Sequence, residues 1–113
     1  MEIVKRQVAG VSILDLNGKL TIGAGDVALR GAMLAELEDG RNKIVINLKD
    51  VSAIDSSGLG ELIRCKATAA GRGAEIKLLH ANLKARKLLT MAHLVGVFEM
   101  FDNEEIAIAS FSA

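Results

Sequence analysis

The stretch "VSAIDSSGLGELIRC", residues 51–65, contains a change from one backbone pattern to another. An apolar segment ends at Asp55, two serines and two glycines follow, and Leu59 and Leu62 then recur at helical spacing. The segment "KIVINL", residues 43–48, precedes this junction and is nearly all apolar. Such a run is typical of a central strand covered on at least one face, so the sequence predicts a strand, a polar junction and a helix.

Strands and a helix are also predicted toward the start of the chain. Residues 2–8 and 11–17 are predicted to form two strands joined by a tight turn, and a glycine-rich connection follows them. A helix is then predicted, with Asp26 as its N-cap and Gly40 at its end. Its inward positions are Val27, Met33, Leu34 and Leu37.

Toward the end of the chain the alternation continues. The predicted elements are a helix over 57–70, a strand over 75–80, a helix over 83–94, a strand over 97–101 and a last helix ending near residue 111. Asn82 is a candidate cap for the third helix, and Asp102 with Glu105 would form a capping box for the last. The order β-β-α-β-α-β-α-β-α predicts an α/β fold whose mixed, mostly parallel sheet is covered by helices.

Composition narrows the functional classes. The 113 residues carry 14 basic and 14 acidic side chains, so no net charge attracts nucleic acid or an anionic membrane. The single cysteine, Cys65, cannot form an internal disulfide, and no apolar run approaches the roughly 18 residues that span a bilayer. We therefore expect a cytoplasmic protein with no nucleic-acid and no membrane partner.

The junction itself could do two different things. Asp55 ends the approach to the helix, and Ser56 or Ser57 can cap it, because the first N–H groups of a helix lack partners within it. Those N–H groups and the helix dipole also suit a phosphate. Gly58 and Gly60 would keep the first turn open to the active site of another protein. The serines are therefore either caps alone or a site of modification.

The longer string "KIVINLKDVSAIDSSGLGELI", residues 43–63, resembles the strand–loop–helix signature of the STAS family. This family includes bacterial anti-sigma factor antagonists and the C-terminal domains of sulfate transporters. The resemblance extends to "GRGAEIKLLHANLKARKLL" and to "VFEMFDNEEIAIASF", and so covers nearly the whole chain. It implies one STAS-like domain over residues 1–113.

In the antagonists of this family, a kinase-type anti-sigma factor phosphorylates the serine that follows the aspartate. The resemblance therefore implies phosphorylation of Ser56. The implied switch loop and partner-binding surface comprise Asp55, Ser57, Gly58, Leu59 and Gly60. The implied partners are an anti-sigma factor serine kinase and a serine phosphatase that resets the switch. The chain would be a substrate and a binding module, with no catalytic residues of its own.

A second hypothesis is a non-switching STAS scaffold, or a subunit of a larger regulatory or transport complex. Antagonists usually carry an acid in the turn after the second strand, whereas this chain has "GKLT" over residues 18–21, with Thr21 in that place. The oligomeric state stays open. The first hairpin has an outer edge that could pair, and the charges of Glu2, Lys5 and Arg6 weigh against such pairing.

Other candidate sites are weaker. The segment "IGAGD", residues 22–26, lacks the spacing and lysine of a phosphate-binding loop and is predicted to be a flexible turn. His80 and His93 lie on different elements without ligands at metal-binding spacing, so we expect no metal and no cofactor. Cys65 is predicted to pack in the core. The basic residues Lys84, Arg86 and Lys87 form either a solvated helix face or a surface that attracts an acidic partner.

Overall fold

Strands and helices alternate in the predicted order in the computed structural model, which describes residues 1–94 and 96–112. The strands are β1 (Glu2–Val8), β2 (Val11–Leu20), β3 (Lys43–Ile54), β4 (Glu75–Leu79) and β5 (Met100–Phe101). The helices are α1 (Ala24–Glu38), α2 (Ser56–Ala70), α3 (Leu83–Met91) and α4 (Glu104–Ala109), followed by a 3-10 turn over Ser110–Ser112. Within those residues, no helix is long and apolar enough to cross a membrane. The predicted α/β class and element order are confirmed.

The five strands form one mixed sheet in the order β1-β2-β3-β4-β5. β1 and β2 are antiparallel, and each later strand is parallel to its neighbour. Ala9 and Gly10, which join β1 to β2, have φ values of 52° and 78°, as a two-residue type I′ turn requires. Because β2, β3 and β4 are parallel, their carboxyl ends meet at one end of the sheet. We call the loops there, residues 20–25, 54–57 and 80–83, the carboxyl edge.

The two faces of the sheet are covered unequally. Alternate strand residues, such as Leu14, Ile44 and Ile46, join side chains of α1, α2 and α3 in the larger core. The opposite face has a smaller core beneath α4, formed by Val11, Ile13, Val45, Leu79 and Ala107. This alternation follows from the two-residue repeat of a strand, which sends neighbouring side chains to opposite faces.

The two central strands are longer than predicted. β2 continues to Leu20 and β3 to Ile54, so "GKL", residues 18–20, belongs to a strand and not to a loop. The two strands remain paired although their register shifts twice, between Asp15 and Asn17 and between Gly18 and Lys19. Gly18, which has a φ of 118°, lies at the second shift. The extension brings the ends of both strands to the start of α2.

The predicted start and inward face of α1 are partly wrong. The N-cap is Gly23, at φ 96°, and Asp26 lies in the first turn, where its carboxylate accepts a hydrogen bond from the Val27 N–H (2.8 Å). Of the predicted inward positions, Val27 is 57 % and Leu34 36 % exposed, whereas Met33 and Leu37 are buried and Leu29 is buried as well. The earlier start follows from the backbone of Gly23, whose conformation ends the preceding loop before Asp26 is reached. Gly40, at φ 78°, ends the helix as predicted.

In α3, Asn82 is the N-cap as predicted, and its side chain accepts from the Ala85 N–H (2.9 Å). Met91, the last residue of the helix, is 70 % exposed. Ala85 and Leu89 are the buried residues of this helix. The helix ends at Met91, so its last predicted turn is absent and the apolar stripe is shorter.

The last two elements also differ in detail from the prediction. β5 is only two residues long, where a strand over 97–101 was expected. Asn103 caps α4 and accepts from the Ile106 N–H (3.0 Å), so the capping box of Asp102 and Glu105 is wrong. Asp102 instead pairs with a side chain of α3.

Candidate functional site at the start of the second helix

Asp55 connects two segments of the carboxyl edge. Its backbone is extended, and it is the N-cap of α2. One carboxylate oxygen accepts from the Gly58 N–H (2.8 Å), and the other accepts from the Ile22 N–H (3.0 Å). The cap expected from Ser56 or Ser57 is therefore supplied by Asp55. The same carboxylate holds the loop between β2 and α1 against the start of α2.

These hydrogen bonds also determine the charge of the site. The N–H groups of Gly58 and Ile22 stabilise the ionised carboxylate and hold the pKa of Asp55 below its usual value of 3.8. The positive end of the α2 dipole acts in the same direction. The site consequently carries one fixed negative charge at neutral pH, directly beside the two serines.

Ser56 is the first residue of α2 and is exposed, whereas Ser57 is half-buried. In the part of the chain that the structure describes, no hydrogen bond joins the Ser56 side chain to another group. Its hydroxyl thus lies at the surface, at the helix end where N–H groups face outward. This position can receive a phosphoryl group without first breaking a hydrogen bond of the fold.

The two glycines of the first turns have different surroundings. A Cβ on Gly58 would overlap the carbonyl oxygen of Leu20 and approach its Cγ to 2.9 Å. A Cβ on Gly60 would meet no atom within 4 Å. The prediction that both glycines keep the turn open therefore describes Gly60, while Gly58 allows α2 to pack closely on the end of β2. Leu59 is only 6 % exposed and belongs to the core, so it supports the loop from beneath.

Two large apolar side chains lie exposed at the carboxyl edge. Ile22 is 73 % exposed in the loop after β2, and Leu83 is 85 % exposed at the start of α3. Since β3 lies between β2 and β4, these loops flank the start of α2. Both are anchored, because Asp55 holds the Ile22 backbone and the Asn82 amide donates to the carbonyl oxygen of Val51 (2.9 Å). This pair of exposed side chains was not predictable from the sequence, since exposure depends on the tertiary fold.

A partly buried ion pair joins α2 to α1. Arg30 donates to the Glu61 carboxylate at 2.9 and 2.7 Å, and the Glu61 side chain is 2 % exposed. Cys65 lies one turn further, with its Sγ 3.6 Å from the same carboxylate. Burial, followed by the charge of Glu61, raises the pKa of Cys65 to about 12. The thiol is therefore protonated, and its packing in the core is as predicted.

The remaining candidates contribute little chemistry. Within residues 1–94 and 96–112, no group of three or more His, Cys, Asp and Glu side chains could hold a metal ion. The predicted turn over 22–26 is only partly a loop, because α1 begins at Ala24 and a Cβ on Gly25 would overlap the Lys19 carbonyl oxygen, whereas Ile22 and Gly23 are exposed. On the basic helix face, Arg86 is bonded to the Ala81 carbonyl and to Asp102, both at 3.0 Å.

Comparison with known proteins gives consistent matches along the chain. The family model described as "Mlab, STAS domain" matches residues 3–102. The anti-sigma F factor antagonist of Paenibacillus polymyxa is 28 % identical over 108 residues, which cover 96 % of this chain and 92 % of the relative. Both its length and its sequence are therefore similar to those of this chain.

Two solved structures share the fold. One, from Thermotoga maritima, is provisionally assigned as an anti-sigma factor antagonist; it is 25 % identical, with a TM-score of 0.89 over 98 % of this chain and 95 % of that one. The other is the Bacillus cell fate determinant SpoIIAA in its phosphorylated form. It is 22 % identical, with a TM-score of 0.76 over 97 % of this chain and 99 % of that one, which is a likeness of fold alone.

Proposed function

Because the chain belongs to the STAS domain family, we propose that it is an anti-sigma factor antagonist switched by phosphorylation of Ser56. Unphosphorylated, it binds and sequesters a kinase-type anti-sigma factor in the cytoplasm; the kinase then modifies Ser56, and a phosphatase reverses the change. The observation that carries this proposal is the exposed Ser56 hydroxyl directly after the ionised, capping Asp55. The named antagonist from Paenibacillus supports the class of partner. In this role the chain is a substrate and a binding module, not a catalyst.

The switch works through charge at a desolvated surface. A phosphate adds a charge of about −1.5 to −2, which sits favourably at a free helix N-terminus. Asp55 already places one negative charge there and uses the Gly58 and Ile22 N–H groups. When a partner covers the site, the added charge must lose water without gaining an equivalent donor, which is costly. The free protein thus tolerates both forms, and the complex tolerates only one.

The docking surface extends to both sides of the serine. Ile22 and Leu83 supply exposed apolar contact area on braced loops, so little order has to be gained on binding. Buried apolar anchors commonly carry much of the binding energy of an interface. Gly58 and Leu59 act from beneath, by fixing the helix start on which Ser56 is presented.

The proposal is tested with the ATP-binding anti-sigma kinases of the source genome, each purified and titrated against variants of this chain. Wild type and Ser56→Ala should bind one of them, and Ser56→Asp should bind at least about tenfold more weakly, or ~1.4 kcal/mol. Ser52→Asp is the matched control, because Ser52 is also exposed but lies on β3 and not at the helix N-terminus. Equal binding by wild type and Ser56→Asp would contradict the switch.

A second function, a fixed scaffold, is favoured by one observation. Thr21 stands where the antagonists usually carry an acid, one residue before the Ile22 amide that Asp55 holds. For a scaffold, all Ser56 variants should retain the same partners, and ATP with any of the kinases should leave Ser56 unmodified by mass spectrometry. The kinase titration therefore separates the two functions.

A further inference from the structure

The outer edge of β1 has free backbone hydrogen-bonding groups. β1 pairs with β2, and within the described part of the chain no other strand pairs with it. Val8 and Val11 flank the two-residue turn, so the even-numbered residues of β1 make the hydrogen bonds toward β2. The N–H and C=O groups of Ile3, Lys5 and Gln7 consequently point away from the sheet. They are available to a further strand.

The side chains of this edge alternate between the two faces of the sheet. Glu2, Val4 and Arg6 lie on the face of the smaller core, and Val4 is 49 % exposed. Ile3 and Lys5 lie on the face of α1, where Ile3 packs against the larger core. The edge thus combines an exposed apolar residue with charges of both signs, placed at fixed spacing.

We propose that β1 pairs antiparallel with β1 of a second copy of this chain, centred on Val4. In this register Val4 faces Val4 of the second copy, and Glu2 faces Arg6 of the second copy. Centring the pair on Lys5 would set the two lysines directly opposite each other, which is unfavourable. Centring it on Ile3 would set Glu2 against an apolar residue and shorten the paired segment. The charges therefore select one register, and with it a two-fold symmetric dimer.

Arg6 has an unused N–H group for the contact with Glu2 of the second copy. It is bonded to Asp15 and Glu104, and its side chain is 38 % exposed. Its Nη1 makes one hydrogen bond, to Glu104 at 3.3 Å, which leaves one of the two N–H groups of that nitrogen for an acceptor. Glu2 of the second copy is the acceptor that the register places opposite it.

A buried carboxylate on the other face supports the same register. The Glu36 side chain is 3 % exposed, and one of its oxygens pairs with the Lys5 ammonium at 2.8 Å. The other oxygen, Oε1, has no hydrogen-bond partner among the described residues. Glu36 lines an open cleft of about 510 Å³ between β1 and α1, and Ile3 and Lys5 line it as well. The proposed register sets Lys5 of the second copy opposite Ile3, on the same face of the sheet as this carboxylate, where a second ammonium at the rim of the cleft would stabilise the Glu36 charge through space.

The register is tested by disulfide cross-linking of the full chain. Val4→Cys places two sulfurs across the two-fold axis at a non-hydrogen-bonded pair, with Cα atoms about 4.5 Å apart, which suits a disulfide. Lys5→Cys and Ile3→Cys report the two rejected registers, and the native Cys65 is buried. Under mild oxidation Val4→Cys should cross-link fastest, and wild type should dimerise in sedimentation velocity at the same concentration. A monomeric wild type, or faster cross-linking of Lys5→Cys, would overturn the proposal.

The role of the carboxylate needs its own pair of variants. Glu36→Gln should weaken the wild-type dimer by at least about tenfold, because the negative charge that faces the second lysine is lost. Asp39→Asn is the matched control, since Asp39 lines the same cleft but is 58 % exposed at its side chain. Circular dichroism establishes that each variant is folded. Equal dimerisation of Glu36→Gln and Asp39→Asn would exclude Glu36 from the interface.

Discussion

The two helix starts at the carboxyl edge are built differently. α1 begins after Gly23, and no side chain caps it, whereas α2 begins after Asp55, which caps it. The Asp55 carboxylate also holds the Ile22 N–H, just before α1. The first helix start thus depends on a side chain that belongs to the second. The serine that we propose as the switch lies on the better-anchored of the two.

The two starts also share a device. Gly25 and Gly58 each press against the end of β2, with no room for a Cβ beside the carbonyl oxygens of Lys19 and Leu20. Close packing therefore fixes both helices, and only the second exposes a hydroxyl at its first position. The glycines fix the positions of the two helices, and Asp55 and Ser56 supply the charge and the hydroxyl of the site. Substitutions at the two starts separate these contributions.

The largest effect is expected for Gly58→Ala. The added Cβ would overlap the Leu20 carbonyl oxygen, so α2 must move away from β2. We expect a loss of about 3 kcal/mol in the free energy of unfolding, at the upper end of overpacking effects. Urea denaturation measures it. A loss below about 1 kcal/mol would show that α2 can shift freely on the sheet.

The next largest effect is expected for Asp55→Asn, and it should depend on pH. The folded-state pKa of Asp55 lies below the ordinary 3.8, so its stabilisation is complete above that pH and is lost as the pH falls through the folded value. Asp55→Asn should therefore be less stable than wild type at neutral pH, and the difference should narrow in acid.

The comparison of Asp55→Asn with wild type is needed because the pKa values of Asp15 and Glu104 are also lowered, by hydrogen bonds from Arg6. Those groups titrate in both proteins, so their contribution cancels in the difference. Amide hydrogen exchange at Ile22 and Gly58 should accelerate in the variant. A stability difference that stays constant from neutral to acidic pH would argue against an ionised cap.

Gly23→Ala tests the uncapped helix start. Gly23 has a φ of 96°, and a Cβ there would meet no atom within 4 Å, so the penalty is backbone strain alone. We expect a destabilisation of about 1–2 kcal/mol, within the range for residues held in sparsely populated backbone conformations. Gly31→Ala is the control, because Gly31 lies inside α1 with equally open surroundings. Equal thermal stability of the two variants would show that the loop before α1 adapts without cost.

The smallest effect is expected for Gly60→Ala, which should be stabilising. Gly60 lies in α2 and is exposed, and alanine is favoured over glycine in a helix by roughly 0.5–1 kcal/mol. Thermal denaturation of Gly60→Ala and Gly58→Ala under the same conditions compares the stability effects of two glycines in one helix. A destabilised Gly60→Ala would mean that the first turns of α2 are more constrained than their surroundings indicate.

The sequence predicts the element order well because hydrophobic spacing reflects burial, and burial separates strands from helices. It also locates the junction at Asp55, where polar residues interrupt two apolar patterns. The sequence does not show whether Asp55 or Ser56 caps α2. Both residue types are good caps, and the two choices differ only in starting the helix one position earlier or later. The packing of Gly58 was not predictable either, because its neighbour, Leu20, is distant in the chain.

The partners of charged side chains are also not predictable from the sequence. Arg6 and Glu104 bond across nearly the whole length of the chain, and Arg30 reaches Glu61 from another helix. In sequence these side chains are indistinguishable from a solvated surface, and Glu61 and Glu36 nevertheless become buried. Such pairings follow from topology, which local patterns do not contain.

The order of strands in the sheet repeats their order in the chain, and this bears on synthesis. As the chain leaves the ribosome, the β1–β2 hairpin can close first, because its contacts are local. Each later strand then pairs with a strand that has already formed. The outer edge of β1 is exposed from the first moment of this growth, next to other nascent chains. The charges on this edge disfavour pairing in the wrong register during that interval; they belong to Glu2, Lys5 and Arg6.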